Sequence, residues 1–394
     1  MRPLRCHTSL LPLLLYQQHR SGPPAMGAVV SFFRDQLGCT EAQAQAAEAK
    51  LPDYYLGSAS VQAAEDVHAM LQDRLELTEA QAKKILITLP GLAVVPSTSL
   101  SPRLSFLQER LGLSDAQLRK IVVAQPTSIG ITSKTVESKL RCLEDRLQLD
   151  EAQLRKLVAT APGVFSRDIE GSVLPKLELL QTRLKLSDEQ LRAVLLRFPT
   201  LLNYSYEAKM APALARLQDL LKLGDVELRQ VVCRQPAVLG YSHEDNVAPK
   251  LARLQRELGL SADELRAVVV AQPNCLGLSF ERNVAPKLRF LRSTAGLSEE
   301  ELRERVLKRP SLLAYSLAGR LRPRITEAHR LDIKSIDVLI RITMTDAEFE
   351  RYLSSVVREQ RTLQRLADER FAMWTGDSQA VAAMLAESRK PAER

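Results

Sequence analysis

The chain has 394 residues, with 55 Lys and Arg against 47 Asp and Glu and a formal net charge of +8. Apolar residues are ample for a core, but aromatics make up only 5%, too few for a platform on which single-stranded bases stack. The five cysteines, Cys6, Cys39, Cys142, Cys233 and Cys275, form no CxxC pair, which argues against a structural zinc site and for reduced thiols.

The charge is unevenly distributed. Residues 26–99 carry a net charge of −4, residues 100–341 carry +10 and residues 342–394 carry −1. A basic segment between acidic flanks favours a polyanion as partner, with a surface kept basic for solubility as the simpler reading.

In chain order, residues 1–25 contain Arg2, Arg5 and Arg20 and no acid, a composition that fits an organelle transit peptide. The run Leu10–Tyr16 reads alternatively as a short signal-peptide core, but no small-residue cleavage site follows it. No stretch approaches the ~20 apolar residues of a membrane span. Residues 26–99 hold degenerate repeats, in which Thr40 and Thr78 read as helix starts, and serve as an N-terminal cap of the array.

The array itself spans 100–341. The closing prolines of the repeat pattern are Pro90, in the capping segment, and Pro126, Pro162, Pro199, Pro236, Pro273 and Pro310, a period of 36 or 37 residues. Such a period marks stacked helical units and not a globular enzyme domain. In the unit PKLELLQTRLKLSDEQLRAVLLRFP, the first helix is expected to open at Pro175, with Leu177, Leu180 and Leu184 on one stripe. The second opens with the capping box Ser187 to Gln190, repeated at Thr78, Ser114, Asp150, Ser261 and Ser298. It carries Leu191, Val194, Leu195 and Phe198 on its apolar face and ends at Pro199. Six residues past each closing proline except Pro90, where Pro96 breaks the series, stands Thr132, Asp168, Ser205, Ser242, Ser279 or Ser316, each the expected N-cap of a third, very short helix. Residues 342–374 read as a C-terminal capping helix opened by Thr345 to Glu348, and 375–394 as a loose polar tail. The fold class is therefore all-α, an α-solenoid of two long helices and one short helix per unit.

This unit, with the pattern P-x-L-x-x-L-x-x-x-L-x-L-S-x-x-E-L-R-x-V-V-x-x-x-P-x-x-L, resembles the mitochondrial transcription termination factor (mTERF) family over about residues 27 to 355. The opening SFFRDQLGCTEAQAQ is similar to the start of plant and algal members. The resemblance implies a curved superhelix with a basic groove that binds double-stranded DNA, or structured RNA, inside mitochondria or plastids. It implies a role in transcription termination or initiation, ribosomal RNA maturation or intron splicing, and no cofactor. The alternative is a scaffold whose groove recruits an RNA-processing or ribosome-assembly enzyme. The chain is expected to act as a monomer.

Two basic rows recur once per unit. The first is Arg103, Lys139, Lys176, Lys250, Lys287 and Arg324, with a gap at Ala213. Placed in a first helical turn, these cations oppose the helix dipole and, apart from Arg324 with Glu327, lack acids three or four residues away. Phosphate contact would explain them, and so would a solvated side chain lying over the neighbouring helix. The second row is Arg119, Arg155, Arg192, Arg229, Arg266 and Arg303. Here an acid three or four residues earlier makes a local ion pair the stronger reading. One cation per unit, on helices ~8–10 Å apart, suits backbone contact better than base reading. Helix C-termini explain Arg197, Arg234 and Arg309 without a ligand. His7, His19, His68, His243 and His329 are far apart, with His243 expected at the surface, and no metal cluster, P-loop, GxGxxG or GxSxG occurs. No catalytic, cofactor-binding or metal-binding residue is assigned, and the chain is not expected to be an enzyme.

Overall fold

A computed structural model describes residues 27–51 and 60–375. The expected transit peptide and nearly all of the polar tail lie outside these residues. Among the described residues every regular element is helical. The chain divides into two compact units at Leu214 and Ala215.

The repeat between Pro162 and Pro199 shows how sequence becomes structure. Asp168 accepts a hydrogen bond from the Gly171 N–H at 3.0 Å and caps a wide turn, closed where the Val173 N–H donates to the Asp168 carbonyl at 3.0 Å. That turn, Ile169–Val173, runs without a break into the helix Leu174–Leu184. The short third helix expected here is therefore the opening of the first long one, and Pro175 sits inside it. Proline lacks an N–H and crowds the carbonyl four residues back, so the wide turn just before it gives the ring room. Ser205, Ser242, Ser279 and Ser316 cap wide turns in the same way. These are the units of 37 residues and the terminal one. In the 36-residue units the helices Ser97–Leu111 and Ser133–Leu147 are regular throughout. The extra residue is absorbed as one widened turn.

The first helix ends on Lys185 in the left-handed region, at φ 50°. Gly112 and Gly259 take this place in other units, where a glycine needs no strain, whereas Gln148 adopts φ 51° with a side chain. The capping boxes form as the pattern predicts, from Thr40 and Gln43 through Ser298 and Glu301. At Gly224 only half is present: the Glu227 carboxylate accepts from the Gly224 N–H at 2.9 Å, and glycine has no side chain to reciprocate. Pro199 ends the second helix, Asp188–Arg197, and also opens a tight 3-10 turn, Pro199–Asn203, which the pattern did not foresee. Leu177, Leu180 and Leu184 from the first helix, Leu191, Val194 and Leu195 from the second, and Leu201 and Leu202 from this turn are all buried. Burial of some eight such side chains per unit, each contributing ~1.5–3 kcal/mol, drives the stacking.

The last unit departs from this scheme. Its second helix, Ser335–Ile340, has six residues where those from Glu79–Thr88 to Glu299–Lys308 have ten. A 30-residue helix, Asp346–Thr375, follows behind a Thr345–Glu348 capping box. Phe349 and Leu353 are buried, while Leu363, Leu366 and Trp374 further along are exposed. Contrary to expectation, His243 is buried at 5% exposure. Cys39 and Cys275 are buried free thiols, and burial pushes the Cys275 thiol up to about 12. No helix among the described residues is long and apolar enough to cross a membrane. No group of His, Cys, Asp and Glu side chains among them could hold a metal ion.

Candidate nucleic-acid interface

Because the long helix begins at the cap and not at the proline, the first basic row lies in the helix interior, eight residues past Asp168 in the case of Lys176. These cations therefore do not stand in a first helical turn, where they would oppose the helix dipole. Instead each side chain crosses to the following repeat and donates to backbone carbonyls, those of the four lysines standing at the end of its 3-10 turn. Arg103 donates to the carbonyls of Ile129 and Gly130 at 3.2 and 3.3 Å. Lys139 reaches the Arg167 carbonyl and Lys176 the Leu202 carbonyl. Lys250 donates to Leu276 and Lys287 to Leu313, at 2.5 and 2.6 Å. Arg324 donates to Ile342 and Met344 at 3.2 and 2.8 Å, and pairs with Asp346 at 2.6 Å.

Lys176, Lys287 and Arg324 are only 7%, 2% and 4% exposed, so in this conformation a phosphate cannot reach them. The row caps carbonyls that a tight turn leaves without partners. For these three this replaces the expectation of phosphate contact or of a solvated side chain, while Arg103, Lys139 and Lys250 are half-buried. Burial also lowers the pKa of Lys139 and Lys250, and brings Lys176 and Lys287 down to about 8. A carbonyl supplies no countercharge, so the protonated row still adds to the positive field of the array.

The second row reaches backward. Arg155 donates to the Leu111 carbonyl, Arg192 to Leu147 and Gln148 at 3.5 and 3.0 Å, and Arg266 to Lys222 at 3.5 Å. These are the carbonyls at the end of the preceding unit's first helix. Arg119 pairs with Glu76, and Arg303 with Glu264 at 2.6 Å. Arg229 occupies the equivalent position and is half-buried. The expected local pair is seen at Arg266 and Asp263, 3.3 Å apart. Asp115 and Asp188 instead face Arg74 and Arg146. The partners of the second row are mostly carbonyls and acids of another unit, not acids of the same helix.

The pattern also missed a third set of arginines. Arg110 bonds Glu137 and Glu144 at 2.8 and 2.6 Å, Arg146 bonds Gln181 and Asp188 at 2.7 and 3.1 Å, and Arg292 bonds Glu257 and Glu299. Their signal was positional, since each stands one or two residues before the end of a first helix. Arg234, assigned to a helix end, donates to the Ala271 carbonyl at 3.1 Å, and Arg309 to the Thr343 hydroxyl at 3.3 Å.

Cations that do face solvent stand beside these rows. Lys84, Lys120 and Lys156 are exposed at equivalent positions of three successive second helices in the first compact unit. The middle helix packs against both others. In the second unit Arg256, Arg282 and Arg289 are exposed. The period of 36 residues at Lys84, Lys120 and Lys156 could have singled them out.

No curated protein matches this chain. The mTERF family model matches residues 30–350, which covers the repeats, both basic rows and the start of the C-terminal helix, and the chain therefore belongs to the mTERF family.

Proposed function

We propose that the protein is an organellar nucleic-acid-binding factor that acts on transcription or on RNA maturation, and not as an enzyme. The observation that carries this reading is the family match over residues 30–350, whose repeats hold the +10 net charge. The partner is a duplex, DNA or structured RNA, held mainly through phosphates. The contacts fall to exposed cations such as Lys84, Lys120, Lys156, Arg256, Arg282 and Arg289. The protein is monomeric and resides in mitochondria or plastids.

The test is the affinity of a DNA duplex measured at several salt concentrations. Each neutralised phosphate should add about −0.9 to the slope of log K against log salt. A slope near zero would reject phosphate-driven binding. A second reading, a scaffold for a processing enzyme, draws support from the exposed Leu363, Leu366 and Trp374 on the C-terminal helix. Salt-independent association with an organelle protein, lost on changing Leu363 and Leu366 to Ser, would favour it.

A further inference from the structure

Five residues before each closing proline, six units carry an aliphatic side chain: Ile85, Ile121, Leu157, Val194, Val231 and Val268, each at most 1% exposed. These side chains fill the seam between a second helix and the elements stacked on it. In the seventh unit the same position is Arg305. The next second helix, Ser335–Ile340, is too short to close the seam, and a cleft of about 370 Å³ remains. Arg305, Lys308 and Arg309 line it on one side, and Leu312, Leu339 and Ile340 form an apolar floor. The Nε of Arg305 is buried and has no hydrogen-bond partner. Arg309 makes one bond, to Thr343, and Lys308 pairs with Glu304. With Glu304 counted, the cluster keeps a charge of two positive units.

We propose that this cleft binds a single nucleotide, with its phosphate on Arg305 and Arg309 and its base over the apolar floor. Planar guanidinium groups suit a phosphate, whose oxygens accept two parallel N–H bonds. The volume lies at the small end of ligand pockets and admits one nucleotide, not a duplex. The choice of a nucleotide among phosphate-bearing ligands rests on the nucleic-acid reading above. The nucleotide is either free or the 5′-phosphorylated end of a strand.

The experiment is calorimetric titration of the full chain with deoxyadenosine monophosphate, deoxyadenosine and inorganic phosphate. The monophosphate should bind saturably and at least tenfold tighter than either fragment. The double variant Arg305→Val, Arg309→Gln carries the residues of the preceding repeat at both places. It should keep its thermal transition and lose that binding tenfold or more. Discrimination of a 5′-phosphorylated from a 5′-hydroxyl duplex would assign the site to strand ends, and equal affinities would assign it to free nucleotides. Absence of saturable binding, or binding unchanged in the folded double variant, would overturn the proposal. In that event salt-dependent binding of the 5′-hydroxyl duplex would leave the broader function standing, and its absence would remove both.

Discussion

The repeats that close on Pro273 and on Pro310 share a capping box, an inward leucine and a proline-initiated 3-10 turn, yet they meet their successors differently. In the first, Val268 is buried at a seam between two ten-residue helices. In the second, Arg305 stands at the same position before a six-residue helix. Neighbouring units thus use one register position either to exclude water or to hold a charge at a cleft. What decides is the length of the next helix, because an arginine is tolerable only where the seam stays open.

Exchanging the two residues tests this directly. Val268→Arg should be the most damaging change, costing roughly 4 kcal/mol or more, since it buries a charge without a partner. Arg305→Val should be neutral or mildly stabilising. Urea unfolding of both variants measures the contrast, and equal costs would show that the two seams are alike. Leu191→Ala, at a site with 0% exposure, should cost ~2–5 kcal/mol by opening a cavity.

Next in size is Lys287→Met, which keeps the aliphatic stem and strands the Leu313 carbonyl, at a cost of ~1–3 kcal/mol. A lysine on an open surface would change stability by less than ~0.5 kcal/mol. The same variant gives a pH dependence with a definite sign. The Lys287 pKa falls from 10.5 in the unfolded chain to about 8 in the fold, so the folded state loses its proton first. Below about pH 8 both states are charged and the burial penalty is felt in full. Between pH 8 and 10.5 the unfolded state binds more protons, and stability rises with pH. The melting temperature of the wild type relative to Lys287→Met should therefore increase from pH 7 to pH 9.5, and a constant difference would contradict the lowered pKa.

Much of the fold was legible because its signals are local. A hydroxyl or carboxylate three residues before Gln or Glu opens the second helix of most units, and leucine spacing marks the buried stripe. The difference between 36 and 37 residues also carried structural information, as one widened turn before Pro175, Pro212, Pro249, Pro286 or Pro323. The fate of the cations was not legible. Lys176 has no acid three or four residues away, and its partner is a carbonyl 26 residues away. A backbone oxygen looks the same in every sequence, so only the stacking of units could show it.

Smaller effects refine the contrast between buried and exposed cations. Gln148→Gly, at φ 51°, should stabilise by ~0.5–1 kcal/mol, a gain of a few degrees in thermal unfolding. Replacing Lys84, Lys120 and Lys156 together by Ala should leave stability within ~0.5 kcal/mol. If each meets a phosphate, the salt slope for duplex binding should fall by about 2.7. An unchanged slope would move the contacts to the arginines of the second compact unit.

The forward reach of the first row gives the array a direction. Arg103, Lys139 and Lys176 each need the turn of the unit that follows, as do Lys250 and Lys287, while Arg324 is met by the entry to the final helix. The missing member, Ala213, falls one residue before the end of the first compact unit, so each unit carries its own set of three. A deletion that begins at residue 342 removes the partners of Arg324 and leaves a desolvated guanidinium at the new end. Deletion from the N-terminal side strands no cation of this row, because the side chain and not the carbonyl is lost. Fraying should therefore start more readily from the C-terminal edge, which is where a transient opening would first become visible to hydrogen exchange.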